Sequence, residues 1–355
     1  MTSALPPITW PDADREAAFQ RWFMPLVQAW ALDPSSLVPA SADASFRRYL
    51  RVRGAGGRSF IVMDAPPPPQ EAVGPFVDLA GRIRAAGLHA PEALAVDAEH
   101  GFVLLSDLGD SLYLQALQSA EPAEADRLMR TALGALVQFA QRLDGSDLPA
   151  YDEALLRREL ALFPEWCVGR EYGIHWTPTQ TATWQRVCDV LVASALAQPQ
   201  VPVHRDWMPR NLMLAEPNPG ILDFQDAVIG PVTYDVASLL RDAFLSWDEA
   251  QEIDWAARWW QQARAAGILG EHAMAADFGE TWRALEWIGL QRHLKVLGIF
   301  CRLKHRDGKP AYSADLPRFF GYVTKVALRY RDLQPLVALI EPMTGALTTT
   351  AFSMR

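Results

Sequence analysis

Cysteine is scarce in this sequence, because only Cys167, Cys188 and Cys301 occur among its 355 residues. Their spacing matches no metal motif and their number is odd, so we expect reduced thiols buried as small hydrophobic side chains. Long apolar runs are also missing. The longest stretches, such as 190–197, fall far short of the roughly 20 residues of a membrane span. The amino terminus lacks the charged start and apolar core of a signal peptide. We therefore expect a cytoplasmic protein with no membrane partner.

An excess of positive charge is absent as well. The chain carries 33 Lys and Arg against 42 Asp and Glu, a formal net charge of −9. No basic stripe indicates nucleic-acid binding, and mild acidity mainly favours solubility. The length is sufficient for a large core, which we expect to divide between two lobes or domains.

Polar residues that could carry chemistry are concentrated in one region. His204, Asp206 and Asn211 form the pattern H-x-D-x4-N, and a second acid, Asp223, follows in an apolar run. The turn-forming segment 216–220 joins the two runs. Apolar, turn, apolar predicts a β-hairpin. This hairpin would bring Asn211 and Asp223 together.

These residue types, in this order, suit phosphoryl transfer from ATP. That reaction needs a carboxylate to orient the acceptor hydroxyl, which would be Asp206, and oxygen ligands for Mg²⁺, which would be Asn211 and Asp223. His204 would brace the loop. The alternative is a buried His204–Asp206 pair with turn residues at 211 and 223. We disfavour it because turn acids rarely lie within apolar strands, where we place Asp223.

Local patterns predict a β-rich first part and a helical remainder, which makes the fold class α+β. Apolar runs predict a hairpin over 49–63 and a strand over 102–105, whereas helical periodicity covers 12–31, 73–86 and 122–143. Thr177 begins a capping box for a helix that runs to about Gln198. Ser246 begins a second capping box, for a helix that Gly267 ends. Trp255 and Trp259, one turn apart, indicate core packing.

The chain resembles the aminoglycoside phosphotransferase superfamily of eukaryotic-like kinases. H-x-D-x4-N, the L-D-F of residues 222–224 and segment 230–239 carry the resemblance. Segments 41–49, 62–67, 105–110 and 223–228 are most similar to bacterial anomeric sugar kinases that phosphorylate N-acetylmuramate and N-acetylglucosamine at C1.

The resemblance implies a bilobal protein-kinase-like fold and cell-wall recycling as the function. A nucleotide-binding lobe would span residues 1–105, a hinge 106–109 and a helical lobe 110–355. ATP and Mg²⁺ would be the cofactors. A small amino sugar would be the partner of a monomeric enzyme.

The resemblance also assigns supporting roles. Asp235 would support the catalytic loop, and its place before an apolar run at 236–240 independently predicts a helix cap. Leu105 and Asp107, at the hinge, would offer backbone groups to adenine. The loop that covers phosphates in many kinases has no glycine here, so Ser45 and backbone N–H groups would replace it.

One position departs from the kinase pattern. Met63 stands where kinase strands usually carry a lysine for the α- and β-phosphates, and the following helix offers only Asp78 in place of a glutamate. Arg47, Arg48 or Arg51 is expected to supply the missing cation. The alternative is a pseudokinase that binds nucleotide and serves as a partner-binding module.

For the acceptor sugar we expect carboxylates and an aromatic face. Asp242, Glu286 and a tryptophan, Trp247 or Trp287, are the candidates. An N-acetylmuramate carboxylate needs a cation, and the region offers Arg241, Arg292 and Lys295. An aminoglycoside needs several acids, and the region holds these too, so charge does not decide between the acceptors. Kinases for choline, homoserine or aminoglycosides remain alternatives. A protein kinase is disfavoured because no A-P-E segment follows Asp223.

Overall fold

The computed structural model describes residues 8–40, 47–66 and 72–344. Its first part forms a five-stranded antiparallel sheet in the order β1-β2-β3-β5-β4. The strands are β1 (Leu32–Pro39), β2 (Arg48–Gly54), β3 (Ser59–Asp64), β4 (Ala93–Asp97) and β5 (Phe102–Ser106). The hairpin predicted over 49–63 is β2–β3, and the strand predicted over 102–105 is β5, so both are confirmed.

Glycine determines the turn between β2 and β3. Gly56 and Gly57 have φ angles of 71° and 76°, a region that residues with a Cβ rarely occupy. The turn therefore reverses the chain within a few residues and sets the register that pairs Tyr49 with Met63.

The two faces of the sheet have different neighbours. Helix α1 (Ala13–Trp30) covers one face, where Phe19 and Phe23 pack with Phe60 and Val62 in a buried core. Because side chains alternate along a strand, Met63 lies on the opposite face.

Helices dominate the rest of the chain. Their bounds are α2 (Gly74–Ala85), α3 (Tyr113–Ser119), α4 (Pro122–Arg142), α5 (Glu153–Leu160), α6 (Pro178–Ala197), α7 (Tyr234–Leu240), α8 (Glu249–Ala265), α9 (Ala273–Ala276), α10 (Phe278–His305), α11 (Leu316–Arg329) and α12 (Pro335–Thr344), with a π-helix at Phe163–Glu171. Two antiparallel strand pairs complete the described part: β6 (Gln200–Val203) with β9 (Val228–Pro231), and β7 (Leu212–Met213) with β8 (Gly220–Ile221).

The helix ends confirm one predicted capping box and correct the other. Thr177 caps α6 through the reciprocal bonds with Gln180. At α8 the N-cap is Asp248, whose carboxylate accepts the N–H of Gln251, so the box predicted at Ser246 is wrong. The hydroxyl of Ser246 lies instead 2.9 Å from that of Tyr322. Aspartate two positions further on provides the stronger acceptor for the helix N–H groups.

By its contacts the chain divides into two compact units, an N-terminal unit of Met1–Tyr113 with Arg210–Gln225 and a helical unit of Leu114–Pro209 with Asp226–Arg355. The lobe limits predicted at residues 105 and 110 stay a prediction, because units defined by contacts need not coincide with functional lobes.

The predicted core residues of the helical unit are confirmed. Trp255 and Trp259 are at most 1% exposed, and all three cysteines are buried and free. Across the described ranges no helix combines the length and the apolar character needed to cross a membrane.

Candidate active site

The short β7–β8 hairpin of the N-terminal unit positions two of the predicted site residues. Asn211 ends a 3-10 turn before β7, and its carbonyl accepts the N–H of Leu222 at 3.0 Å. Its side-chain amide donates to Oδ2 of Asp223 at 3.3 Å. The prediction that the hairpin brings Asn211 and Asp223 together is therefore confirmed.

Asp223 itself lies outside the strand. β8 ends at Ile221, and Asp223 has a φ of 60°, which is uncommon for a residue with a Cβ. The expectation that Asp223 belongs to an apolar strand is wrong, because the left-handed backbone ends the pairing there. Phe224 is buried and stacks on Phe76 of α2, with ring centroids 4.9 Å apart. This packing holds the neighbouring carboxylate in a defined position.

The pair has the chemistry of a magnesium site of the kinase type. Asp223 and Asn211 are hard oxygen ligands, which suit an ion that takes its remaining ligands from water and phosphate. Oδ1 of Asp223 also accepts from the amide of Gln225 at 2.8 Å, which orients the carboxylate. Within the described residues no cluster of three or more His, Cys, Asp or Glu forms a metal site of its own.

The loop that carries Asp206, the predicted catalytic residue, belongs to the helical unit. His204 is fully buried beside the rings of Phe139 and Trp207. Its Nδ1 accepts the backbone N–H of Asp206 at 3.2 Å. The intervening Arg205 has a φ of 76°. His204 therefore fixes the backbone that presents Asp206, and Asp206 is half-buried.

Asp235 holds the same loop from α7. Its carboxylate accepts the N–H groups of His204 at 2.6 Å and Arg205 at 2.9 Å. The predicted helix cap is wrong, because the N-cap is Thr233 and Asp235 lies within the first turn. Burial raises the pKa of Asp235 to about 7, and the two N–H groups partly counter this effect.

A buried ionic cluster beside the loop was not predicted. Glu159 of α5 accepts from Arg205 at 2.5 Å and lies 3.1 Å from the Nζ of Lys295. Tyr151 also donates to it. Burial raises the pKa of Glu159, but the charges of Lys295 and Arg205 outweigh this and lower it. Because the members are far apart in the chain, no sequence spacing indicates the cluster.

Met63, which stands where kinase strands usually carry a lysine, lies inside the protein. Met63 is fully buried, with Tyr49 and Val103 beside it on the neighbouring strands, so this face of the sheet carries no cation at that position. Among the predicted substitutes, Arg48 is bound by Asp64, and its Nε donates to that carboxylate at 3.0 Å.

Arg51 is equally committed to a carboxylate. Its guanidinium contacts both oxygens of Asp107, at 2.6 and 2.9 Å, and the carbonyl of Gly109 at 2.6 Å. Burial raises the pKa of Asp107, but the hydrogen bonds of Arg51, Ser59 and Gly109 prevail and lower it. The carboxylate of Asp107 therefore ties β2 to the predicted hinge.

Arg47 has a different environment. Its guanidinium lies over the ring of Phe76, 5.4 Å from the centroid, and Phe76 stacks on Phe224, the residue after Asp223. Of the three arginines it is the one packed toward the predicted magnesium ligands.

The nucleotide roles of Leu105 and Asp107 stay predictions. Leu105 is buried within the sheet between β3 and β4. Ser45 lies outside the described residues.

Two of the residues predicted to bind the acceptor, Arg241 and Glu286, form ion pairs within the protein. Arg241 pairs with Glu252 at 2.9 Å and with Glu286 at 3.2 Å, and Glu286 also binds Arg329 and Tyr330. Both side chains are buried, and Nη1 of Arg241 has no hydrogen-bond partner. The sugar contacts predicted for Arg241 and Glu286 stay predictions.

The predicted tryptophans are in packing contacts. Trp247 meets Trp255 edge to face, and Trp287, half-buried, meets Tyr330 in the same way. A sugar-binding face on either ring stays a prediction. Asp242 differs, because Oδ1 accepts the N–H groups of Phe244 and Leu245 whereas Oδ2 is buried without a partner.

Several relatives align with most of the chain. An N-acetylmuramate/N-acetylglucosamine kinase of Pseudomonas putida is 53% identical over 313 residues, which cover 88% of this chain and 90% of the relative. Relatives of the same name in Pseudomonas aeruginosa and Neisseria meningitidis serogroup B are 52% and 44% identical, over 89% and 86% of this chain and 91% and 90% of theirs.

Similar folds occur among solved structures. The ADP-bound aminoglycoside phosphotransferase APH(2'')-Ib superposes with a TM-score of 0.59 at 12% identity, over 89% of this chain and 99% of that one. A choline/ethanolamine kinase family protein from Mesorhizobium loti gives 0.56 at 14%, over 92% and 98%. The predicted α+β, protein-kinase-like fold is confirmed.

The family model described as "Phosphotransferase enzyme family" matches residues 36–278, which hold most of the sheet, the loop that carries Asp206 and the β7–β8 hairpin. The chain belongs to this family of phosphotransferase enzymes.

Proposed function

We propose that the protein is an ATP-dependent kinase that phosphorylates the anomeric hydroxyl of N-acetylmuramate and N-acetylglucosamine, in cell-wall recycling. Relatives at 52–53% identity over about nine-tenths of both chains bear this name, which supports the acceptor class. Choline, homoserine and aminoglycosides are the competing acceptors.

Asp206 is the proposed catalytic group. Phosphoryl transfer passes through a loose transition state in which the acceptor hydroxyl keeps its proton until late. The carboxylate of Asp206 would orient the C1 hydroxyl and accept that proton as the new O–P bond forms and the bond to ADP breaks. The contacts of His204 and Asp235 with the loop support this role, because they fix the backbone that carries the carboxylate.

The observation that carries the proposal is the hydrogen bond between Asn211 and Asp223. The two residues are 12 positions apart in the chain, and the hairpin joins them as an amide and a carboxylate for Mg²⁺. When bound, Mg²⁺ neutralises the charge that develops on the phosphates.

The test is ATP-dependent phosphorylation of a panel that contains N-acetylmuramate, N-acetylglucosamine, glucose, choline, homoserine and kanamycin. NMR would locate the phosphate. We expect turnover of the two N-acetyl sugars, phosphate on C1, and loss of activity without Mg²⁺. Asp206→Asn should lower kcat by about 100-fold or more, since a positioned base contributes roughly that factor.

Asp254→Asn is the matched control, because Asp254 is an exposed helix residue paired with Arg258 and its loss should leave kcat unchanged. Turnover of choline, homoserine or kanamycin alone would overturn the sugar assignment. Binding of ATP without turnover of any acceptor would favour a pseudokinase.

A further inference from the structure

The loop after α7, residues 241–246, packs against two helices of the same helical unit. His293 of α10 has its Nε2 3.2 Å from the carbonyl of Arg241, and its ring stacks on Tyr322 of α11 with centroids 4.8 Å apart. The hydroxyl of Tyr322 meets that of Ser246 at 2.9 Å. These contacts bring one face of α10 and one face of α11 to the loop, and we call this region the 241–246 site.

Besides Arg241, whose Nε and Nη2 bind Glu252 and Glu286 and whose Nη1 has no partner, three charged side chains at the 241–246 site have buried atoms without a hydrogen-bond partner. They are Nη1 of Arg292, Nη1 of Arg318 and Oδ2 of Asp242. Asp242 is 1% exposed and Arg292 is 4% exposed. A buried charged group left without a partner costs on the order of 1–3 kcal/mol or more, so native proteins rarely keep one. These three unpartnered atoms make the 241–246 site a candidate binding site.

The charges are close enough to act on one another. Burial raises the pKa of Asp242, and the charges of Arg292 and Arg318 partly lower it again. Yet no ion pair within 4.0 Å joins Asp242 to either arginine in the described part of the chain. Arg318 is also one turn from Tyr322, so it shares the face of α11 that meets the loop. Arg292, Arg318 and Asp242 therefore form one group of buried charges at the 241–246 site.

The 241–246 site directly follows α7, whose first turn carries Asp235. The charge of Arg292 also acts on the carboxylate of Asp235, which accepts the N–H groups of His204 and Arg205. A ligand held by Arg292 would thus lie within electrostatic reach of the residues that position Asp206.

The geometry points to Arg292 and Arg318 as the binding site for a carboxylate on the acceptor sugar, with Asp242 accepting a hydroxyl or amide hydrogen of the same sugar. Guanidinium groups match the geometry of a carboxylate and bind it more strongly than a neutral acceptor. This inference rests on the proposed function and deepens it. Since N-acetylmuramate has a carboxylate and N-acetylglucosamine has none, the two arginines would determine the preference between these acceptors.

The experiment compares the kcat/KM values of Arg318→Gln for the two sugars. Loss of one charged hydrogen bond, about 1.5–3 kcal/mol, corresponds to a loss of about 10- to 100-fold. We expect a loss of this size for N-acetylmuramate, mostly in KM, and a much smaller loss for N-acetylglucosamine. Arg318→Lys keeps the charge and should recover part of the N-acetylmuramate activity. Arg292→Gln should act in the same direction, with thermal unfolding to verify its fold.

Arg331→Gln is the control, because it removes one positive charge from an exposed turn of the helical unit. Equal losses for both sugars in the Arg318 variants, or an unchanged preference, would overturn the carboxylate site while leaving the kinase intact. If the wild-type protein phosphorylates neither sugar, the proposed function itself fails. The wild-type rates therefore separate the two failures.

Discussion

At the residue scale, strained backbone coincides with the predicted catalytic side chains. Arg205 and Asp223 both have positive φ angles, of 76° and 60°, which cost on the order of 1–2 kcal/mol for a residue with a Cβ. One precedes Asp206 and the other is a predicted magnesium ligand. The surrounding contacts, Asp235 with the N–H of Arg205 and Gln225 with Asp223, hold these conformations in place.

Arg47 is the residue that we expect to replace the strand lysine absent at Met63. Arg47→Ala should raise the KM for ATP about 10-fold or more, the equivalent of one charged hydrogen bond, with a smaller change in KM for the sugar. The measurement is steady-state kinetics with each substrate varied in turn.

Arg48→Ala is the matched comparison, because the guanidinium of Arg48 is bound by Asp64. Arg48→Ala should lower the free energy of unfolding, and it should change the KM for ATP less than Arg47→Ala does. If Arg48→Ala raises that KM and Arg47→Ala does not, the assignment to Arg47 is wrong.

At the element scale, α10 is the longest helix of the described residues, and Gly298 shows how tightly it packs. A Cβ added at Gly298 would lie 2.5 Å from the carbonyl carbon of Leu162, which precedes the π-helix. Gly298→Ala should therefore lower the free energy of unfolding by about 1–3 kcal/mol through overpacking. Urea denaturation measures it.

Gly321→Ala in α11 is the control for this prediction. A Cβ there meets nothing within 4 Å, so the better helix propensity of alanine should raise stability by up to about 1 kcal/mol. A stable Gly298→Ala variant would show that α10 and the segment before the π-helix can separate without cost.

At the scale of the whole molecule, the buried carboxyl of Asp235 makes stability depend on pH. Its folded pKa of about 7 exceeds the ordinary value of 3.8 because of burial. Between these values the folded state keeps a proton that the unfolded state has released. The contribution of Asp235 to the free energy of unfolding therefore falls as pH rises from about 4 to about 7, by on the order of 4 kcal/mol in total.

Urea denaturation of the wild type and Asp235→Asn across this range tests the effect. The asparagine does not titrate, so the free energy of unfolding of the wild type minus that of the variant should fall by about 2–3 kcal/mol from pH 5 to pH 7.5. A difference that is independent of pH would mean that Asp235 is ionised throughout.

The sequence by itself determined what local rules govern. Gly56 and Gly57 specify the β2–β3 turn, Thr177 specifies the start of α6, and the apolar–turn–apolar pattern joins Asn211 to Asp223. These features depend on neighbours a few residues away, whose conformational preferences are written in residue type. The order of Asp206, Asn211 and Asp223 was sufficient to predict a phosphotransferase, because the residue types themselves carry the chemistry.

Only the tertiary structure decided which charges are available for a ligand. Arg48 and Arg51 are bound by Asp64 and Asp107, while Arg241 and Glu286 bind each other. Partners such as these come from distant parts of the chain, and residue type carries no record of them. The partnerless atoms of Arg292, Arg318 and Asp242 are likewise visible only in the fold, because burial and pairing arise from packing across helices rather than along one.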